Sequence, residues 1–312
     1  MKLAVVFPGQ GSQSVGMLQS FAASTPVRDT FAEAADVLKQ DLWKLAAEGP
    51  SAAVNSTVNT QPLMLAAGYA IYRAWRDAGG IQPAMVAGHS LGEYTALVVA
   101  GVMTFRDALP LVRFRAQAMQ EAVPSGAGAM AAILGLADDA VRAACAEAAQ
   151  GEVVEAVNFN APSQVVIAGH TAAVARGAEI AKARGAKRAV MLPVSAPFHA
   201  SLLRPAAQRL AQYLAGIVFN APQIPVVNNV DVAIVDDPEK IKDALARQAC
   251  NPVRWVEVIQ LMAGAGITHV GECGPGRVLA GLTRRIDGGL QGLAIADAAS
   301  LAQAALTLRE AA

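Results

Sequence analysis

Cysteine, aromatic residues and net charge are all scarce in this 312-residue chain. The three cysteines, Cys145, Cys250 and Cys273, stand far apart. That spacing supplies neither a disulfide framework nor a metal-binding motif. Aromatic residues make up only 5% of the chain, against 54% hydrophobic residues rich in Ala and Gly. This balance excludes a disordered chain and fits a helix-rich α/β enzyme. The formal net charge is zero, so no global field draws the chain to nucleic acid or to an anionic membrane. Long apolar runs are missing too. MKLAVVFPGQ has five apolar residues before Pro8, too few for a signal peptide. The charge-free stretch from Ser51 to Tyr72 carries three Asn or Gln side chains and several hydroxyls, unlike a membrane span. The expected location is the cytoplasm.

The patterns that are present alternate between short apolar runs and helical spacing. Leu3–Phe7 and Ala84–Ala87 read as buried strands. Pro62–Trp75 reads as a helix with Pro62 in its first turn. Glu93–Val102 is a buried helix, and Thr104 caps the next, which runs to Glu121 across Pro110. After Pro124-Ser125-Gly126 the rhythm changes. Ala129–Leu134, Val153–Phe159, Gln164–Ala168 and Arg188–Leu192 are strand-like. Asp138–Ala149 and Thr171–Arg184 are helix-like. This β-α-β-β-α-β order predicts a ferredoxin-like small domain at residues 126–195. The large domain then comprises residues 1–125 and 196–312. Strands at Ile224–Val227 and Thr268–Gly271, and helices between and after them, continue it. The expected fold class is α/β, a hydrolase-like, mainly parallel sheet covered by helices.

Gly88-His89-Ser90-Leu91-Gly92 fits G-x-S-x-G with a strand before it and a helix after it. In that setting a sharp turn lifts the serine hydroxyl above the sheet. The helix N-terminus leaves N–H groups free for a developing oxyanion. Ser90 is therefore the candidate nucleophile, against the plain alternative of a turn serine. Its base must be one of four histidines. His89 adjoins Ser90 but points elsewhere on a turn. His170 caps a small-domain helix, and His269 lies in a strand. His199, in a loop with two prolines where the chain re-enters the large domain, is favoured modestly by position. No acidic residue between Ser90 and His199 sits on a loop after a large-domain strand. A Ser–His dyad oriented by a backbone carbonyl is the resulting expectation.

An ordered set of motifs goes further. Phe7-Pro8-Gly9-Gln10-Gly11-Ser12-Gln13, GHSLGEY at 88–94, Arg115, Pro197-Phe198-His199, Gln248 with Asn251-Pro252, and Gly274-Pro275-Gly276 resemble the malonyl-CoA:acyl carrier protein transacylase family, in that family's order. The resemblance implies Ser90 as the acylated residue and His199 as general acid–base. It implies an oxyanion hole from the N–H groups of Gln10 and Leu91. Arg115 would pair with the malonyl carboxylate; without the resemblance it reads as a solvated helix residue. Gln248 would lie at the site, with its region supplying the carbonyl that orients His199. Asn160 would line the cleft. Met119, one helical turn beyond Arg115, would wall the pocket unless it is core.

The expected reaction is a ping-pong transfer from malonyl-CoA to the phosphopantetheine thiol of holo-acyl carrier protein, for fatty-acid synthesis, without metal or redox cofactor. The carrier is expected to be acidic and to meet Lys187 and Arg188. The enzyme is expected to act as a monomer, with no nucleic-acid or membrane partner. A serine hydrolase, a malonate decarboxylase subunit, a polyketide acyltransferase and a non-catalytic carrier-binding module are the competing readings.

Overall fold

The structure, a computed structural model, describes residues 1–194 and 196–310. The expected domain limits at Ser195 and Ala312 fall on residues outside that range. Its strands are β1 (Leu3–Phe7), β2 (Met85–Gly88), β3 (Gly128–Leu134), β4 (Val154–Ala161), β5 (Gln164–His170), β6 (Arg188–Met191), β7 (Val226–Val227), β8 (His269–Cys273) and β9 (Gln291–Ile295). They form two sheets.

The first sheet has the order β7-β2-β1-β8-β9, with every pair parallel. Its centre is β1, whose five residues are all buried. An uninterrupted apolar run is what a strand covered on both faces requires. In register, Phe7 pairs with Gly88 and Val6 with Glu272. The C-terminal ends of β1, β2 and β8 therefore lie side by side, and the loops that follow them converge. Open parallel sheets place their sites at such an edge.

The second sheet has the order β4-β5-β3-β6 and is antiparallel throughout. The helices Asp138–Ala149 and Thr171–Ala183 pack on one face around Ile133, Val141, Phe159, Val165 and Val174. This is the ferredoxin-like arrangement. Its other face carries Met130, Val157 and Val166, which pack with Ala200 and Phe198. Backbone hydrogen bonds also tie it to the main body. Phe159 N–H donates to Val253 O at 3.0 Å, and Val253 N–H to Val157 O at 2.8 Å.

Several elements differ from the sequence expectation. The helix expected to start at Pro62 runs from Thr57 to Asp77, with Pro62 in its interior. Fifteen buried side chains hold it in place, so packing outweighs the hydrogen bond that proline removes. The helices Thr25–Leu38 and Leu42–Glu48 and the edge strand β9 had no counterpart in the reading. Four of the five β9 residues are half-buried or exposed, which mutes the apolar run that marks a strand. The helix Phe105–Glu121 begins as expected. Thr104 Oγ1 accepts from Asp107 N–H at 3.1 Å, and Pro110 sits inside.

Candidate active site

Ser90 occupies the turn between β2 and the helix Gly92–Val99 with a φ of +53°. A left-handed serine is strained and persists only where its surroundings over-determine it. Here they do. Ser90 N–H donates to Asn229 Oδ1 at 2.8 Å, and Ser90 O accepts from Gln248 Nε2 at 2.9 Å. The flanking glycines are required by contact. A Cβ on Gly88 would stand 1.8 Å from the Gly92 carbonyl carbon, and one on Gly92 would stand 2.1 Å from Phe7 O.

His199, also left-handed at φ +67°, places Nε2 2.7 Å from Ser90 Oγ. Its Nδ1 lies 2.8 Å from the Gln248 carbonyl. A carbonyl only accepts, so Nδ1 carries the proton and Nε2 is left as an acceptor for the serine hydroxyl. Burial, and then the nearby Arg115 cation, hold the imidazole down to about 3. It is neutral at physiological pH.

Arg115 is 2% exposed, and its guanidinium is held by neutral groups. Nη1 donates to Gln61 Oε1 at 2.8 Å. Nη2 donates to Gln248 Oε1 at 2.9 Å and to Ser90 Oγ at 3.2 Å. The Tyr94 ring lies 5.3 Å away, and Nε has no partner. Among the described residues no carboxylate forms an ion pair with this cation. Its natural complement is a small anion that arrives at the serine.

These groups meet in a cavity of about 210 Å³, lined also by Gln10, Leu91, Asn160 and Phe198. Among the described residues the backbone N–H groups of Gln10 and Leu91 donate to no protein acceptor. Both residues line the cavity that holds Ser90. A larger cavity, of about 500 Å³, abuts His199 but reaches neither Ser90 nor Arg115.

An acyl transferase domain model matches residues 4–275. The malonyl CoA-acyl carrier protein transacylase of Escherichia coli K12 is 55% identical over 97% of this chain and 98% of its own length. The chain belongs to the malonyl-CoA:acyl carrier protein transacylase family. A crystal structure of the acyl-carrier-protein S-malonyltransferase of Burkholderia pseudomallei is 66% identical, with a TM-score of 0.97 over 98% of this chain and all of that one. A malonyl-transacylase solved in complex with a type II PKS acyl-carrier protein is 52% identical, also at 0.97, over 98% of this chain and all of that one.

In this member of the family, Ser90, His199, Arg115, Gln10, Leu91 and Asn160 line one cavity, and Gln248 braces it from behind. Met119 does not join them. It is 1% exposed within the main apolar core and does not line the cavity. One turn along a helix keeps a face, but here the neighbouring position meets the core. His89 lines the cavity and places Nε2 2.8 Å from Asn160 Oδ1. His170 accepts from Val153 N–H, and His269 is buried in β8.

Three buried residues at the site went unread in the sequence. Gln61 holds Arg115. Asn229 spans the turn, since its Nδ2 also donates to Gly88 O at 2.8 Å. Glu93 Oε2 accepts from Asn229 N–H at 3.0 Å and from Gln248 Nε2 at 2.9 Å. Burial pushes the Glu93 carboxyl up to about 7. A lone acid inside the apolar helix after Ser90 was the signal for Glu93. Gln61 and Asn229 carried none.

Proposed function

We infer that this chain transfers malonyl groups from malonyl-CoA to acyl carrier protein, supplying fatty-acid synthesis, and we propose the following route. Malonyl-CoA enters with its carboxylate on Arg115. His199 Nε2 takes the Ser90 proton as Oγ attacks the thioester carbon. The oxyanion is met by the N–H groups of Gln10 and Leu91. Collapse breaks the carbon–sulfur bond, and His199 returns the proton to the leaving CoA thiolate. A malonyl ester remains on Ser90. The phosphopantetheine thiol of holo-carrier then gives its proton to His199 and attacks the ester, and Ser90 regains a proton as it leaves. The Gln248 carbonyl holds the imidazole in the required tautomer throughout. No metal or redox step enters this scheme; the thioesters are substrates.

The observation that carries this reading is the buried Arg115 cation, unpaired by carboxylate among the described residues and 3.2 Å from Ser90 Oγ. A general hydrolase has no need of a fixed cation beside its nucleophile. Lys187 and Arg188 are exposed at the start of β6, whose chain continues to Leu192 and Val194 in the cavity wall. They suit an acidic carrier. No helix among the described residues is long and apolar enough to cross a membrane, which accords with a cytoplasmic enzyme. Apart from Val190 and Met191, neighbours on β6, the exposed large apolar side chains among the described residues come from separate elements, which accords with a monomer.

The test is intact mass spectrometry after mixing with malonyl-CoA, followed by holo-carrier. A malonyl adduct on Ser90 that moves to carrier is expected. Ser90→Ala abolishes it, and His199→Ala slows both halves by about 10²–10⁴-fold. An adduct on another residue, or one lost only to water, defeats the reading.

A further inference from the structure

We propose that Arg115, acting through Gln61 and Thr57, orients the Gln10 side chain so that its amide NH₂ faces the acyl cavity as a donor to an acyl oxygen. The inference rests on the transferase reading above and adds two positioning residues, Gln61 and Thr57, to it.

Hydrogen-bond polarity orients each link in turn. A guanidinium has donors only. The Gln61 atom 2.8 Å from Arg115 Nη1 is therefore its carbonyl oxygen. The other end of that amide is NH₂, which donates to Thr57 Oγ1 at 3.3 Å. A threonine hydroxyl has one hydrogen. Among the described residues the one acceptor it meets is the Gln10 amide oxygen, 2.9 Å away. Gln10 is left with its NH₂ group, and among the described residues that nitrogen donates to no protein acceptor. Gln10 and Gln61 both line the cavity that holds Ser90. Gln61 and Thr57 are 2% and 1% exposed, so an unmet donor or acceptor on either is costly. Reversing Gln61 would face two donors against each other, and reversing Gln10 would leave the buried Thr57 hydroxyl hydrogen without a protein acceptor.

The relay gives the carboxylate-binding arginine a second consequence. Its permanent charge also presets a donor beside the backbone N–H groups of Gln10 and Leu91. The acyl oxygen that receives it is a carbonyl or a carboxylate oxygen.

Thr57→Val keeps the shape and removes the hydroxyl. Single-turnover acylation by malonyl-CoA should fall about tenfold, as for one lost hydrogen bond at a site. Thr57→Ser should restore the rate to within about twofold. Gln10→Ala should fall at least as far as Thr57→Val, and Thr57→Val with Gln10→Ala should fall no further than Gln10→Ala alone. A merely structural threonine would not give that pattern. Acetyl-CoA identifies the oxygen. A loss confined to malonyl points to the carboxylate, and an equal loss with both points to the thioester carbonyl. A wild-type rate in Thr57→Val or in Gln10→Ala overturns the relay, as do additive losses or failure of Thr57→Ser to rescue. The Gln10→Ala arm holds if Thr57→Val does not fold. Malonyl-Ser90 formation by the wild-type enzyme separately checks the reading on which the relay rests.

Discussion

Arg115 Nη2 lies 3.2 Å from Ser90 Oγ, and the guanidinium is otherwise held by the amide oxygens of Gln61 and Gln248. The contact sets both halves of the site. It places a fixed cation beside the serine hydroxyl. It also depresses the basicity of His199, which shares the serine.

Replacing Arg115 with Ala should redirect substrate choice. Losing one partner of a buried ion pair costs about 3–5 kcal/mol, or about 10²–10⁴-fold in malonyl transfer. Acetyl transfer should fall much less or rise, because an unpaired cation is removed with it. Half-reaction rates with malonyl-CoA and acetyl-CoA measure this. An unchanged ratio would place the carboxylate partner elsewhere.

Acylation should keep its rate well below pH 6.5. On the proposed route the base is neutral His199, held down to about 3, so protonation should remove activity only near that value. The Arg115 cation is the second cause of the depression, after burial. Arg115→Ala should therefore move the acid limb upward, in whatever rate remains. A wild-type limb near 6.5 would contradict this environment for His199.

Glu93 should make stability depend on pH. Its folded value of about 7 lies above the 4.5 of an ordinary glutamate. The folded state therefore binds the proton more tightly between those values. Its contribution is fully present below about 4.5 and is lost as pH rises through about 7. Glu93→Gln keeps an acceptor for Asn229 and Gln248 without the titration. Between pH 4.5 and 8, unfolding free energies of the variant should gain about 3 kcal/mol relative to wild type. Parallel pH profiles for the two proteins would refute it.

Charge reversal at Lys187 and Arg188 should weaken transfer to holo-carrier and flatten its salt dependence. Acylation by malonyl-CoA should stay nearly intact, since neither residue lines the Ser90 cavity. Equal losses in the two half-reactions would move the docking surface elsewhere.

Local chemistry made much of this protein legible in its sequence. The buried run Leu3–Phe7, the glycines around Ser90 and the β-α-β-β-α-β rhythm each reflect interactions among near neighbours. A residue's period or its permitted φ records those directly. The dyad is less legible: Ser90 and His199 are 109 residues apart, joined in the sequence by loop position and motif order and not by any local period. Tertiary structure alone decided the polar scaffold behind it. Gln61 and Asn229 reach Arg115 and Ser90 across separations of 54 and 139 residues. An amide has no period and no backbone signature; its role follows from which donor or acceptor the fold brings to it. Met119 shows the same limit from the other side. It stands one helical turn from Arg115, but the packing of the helix Phe105–Glu121 against the core determines which neighbour it meets.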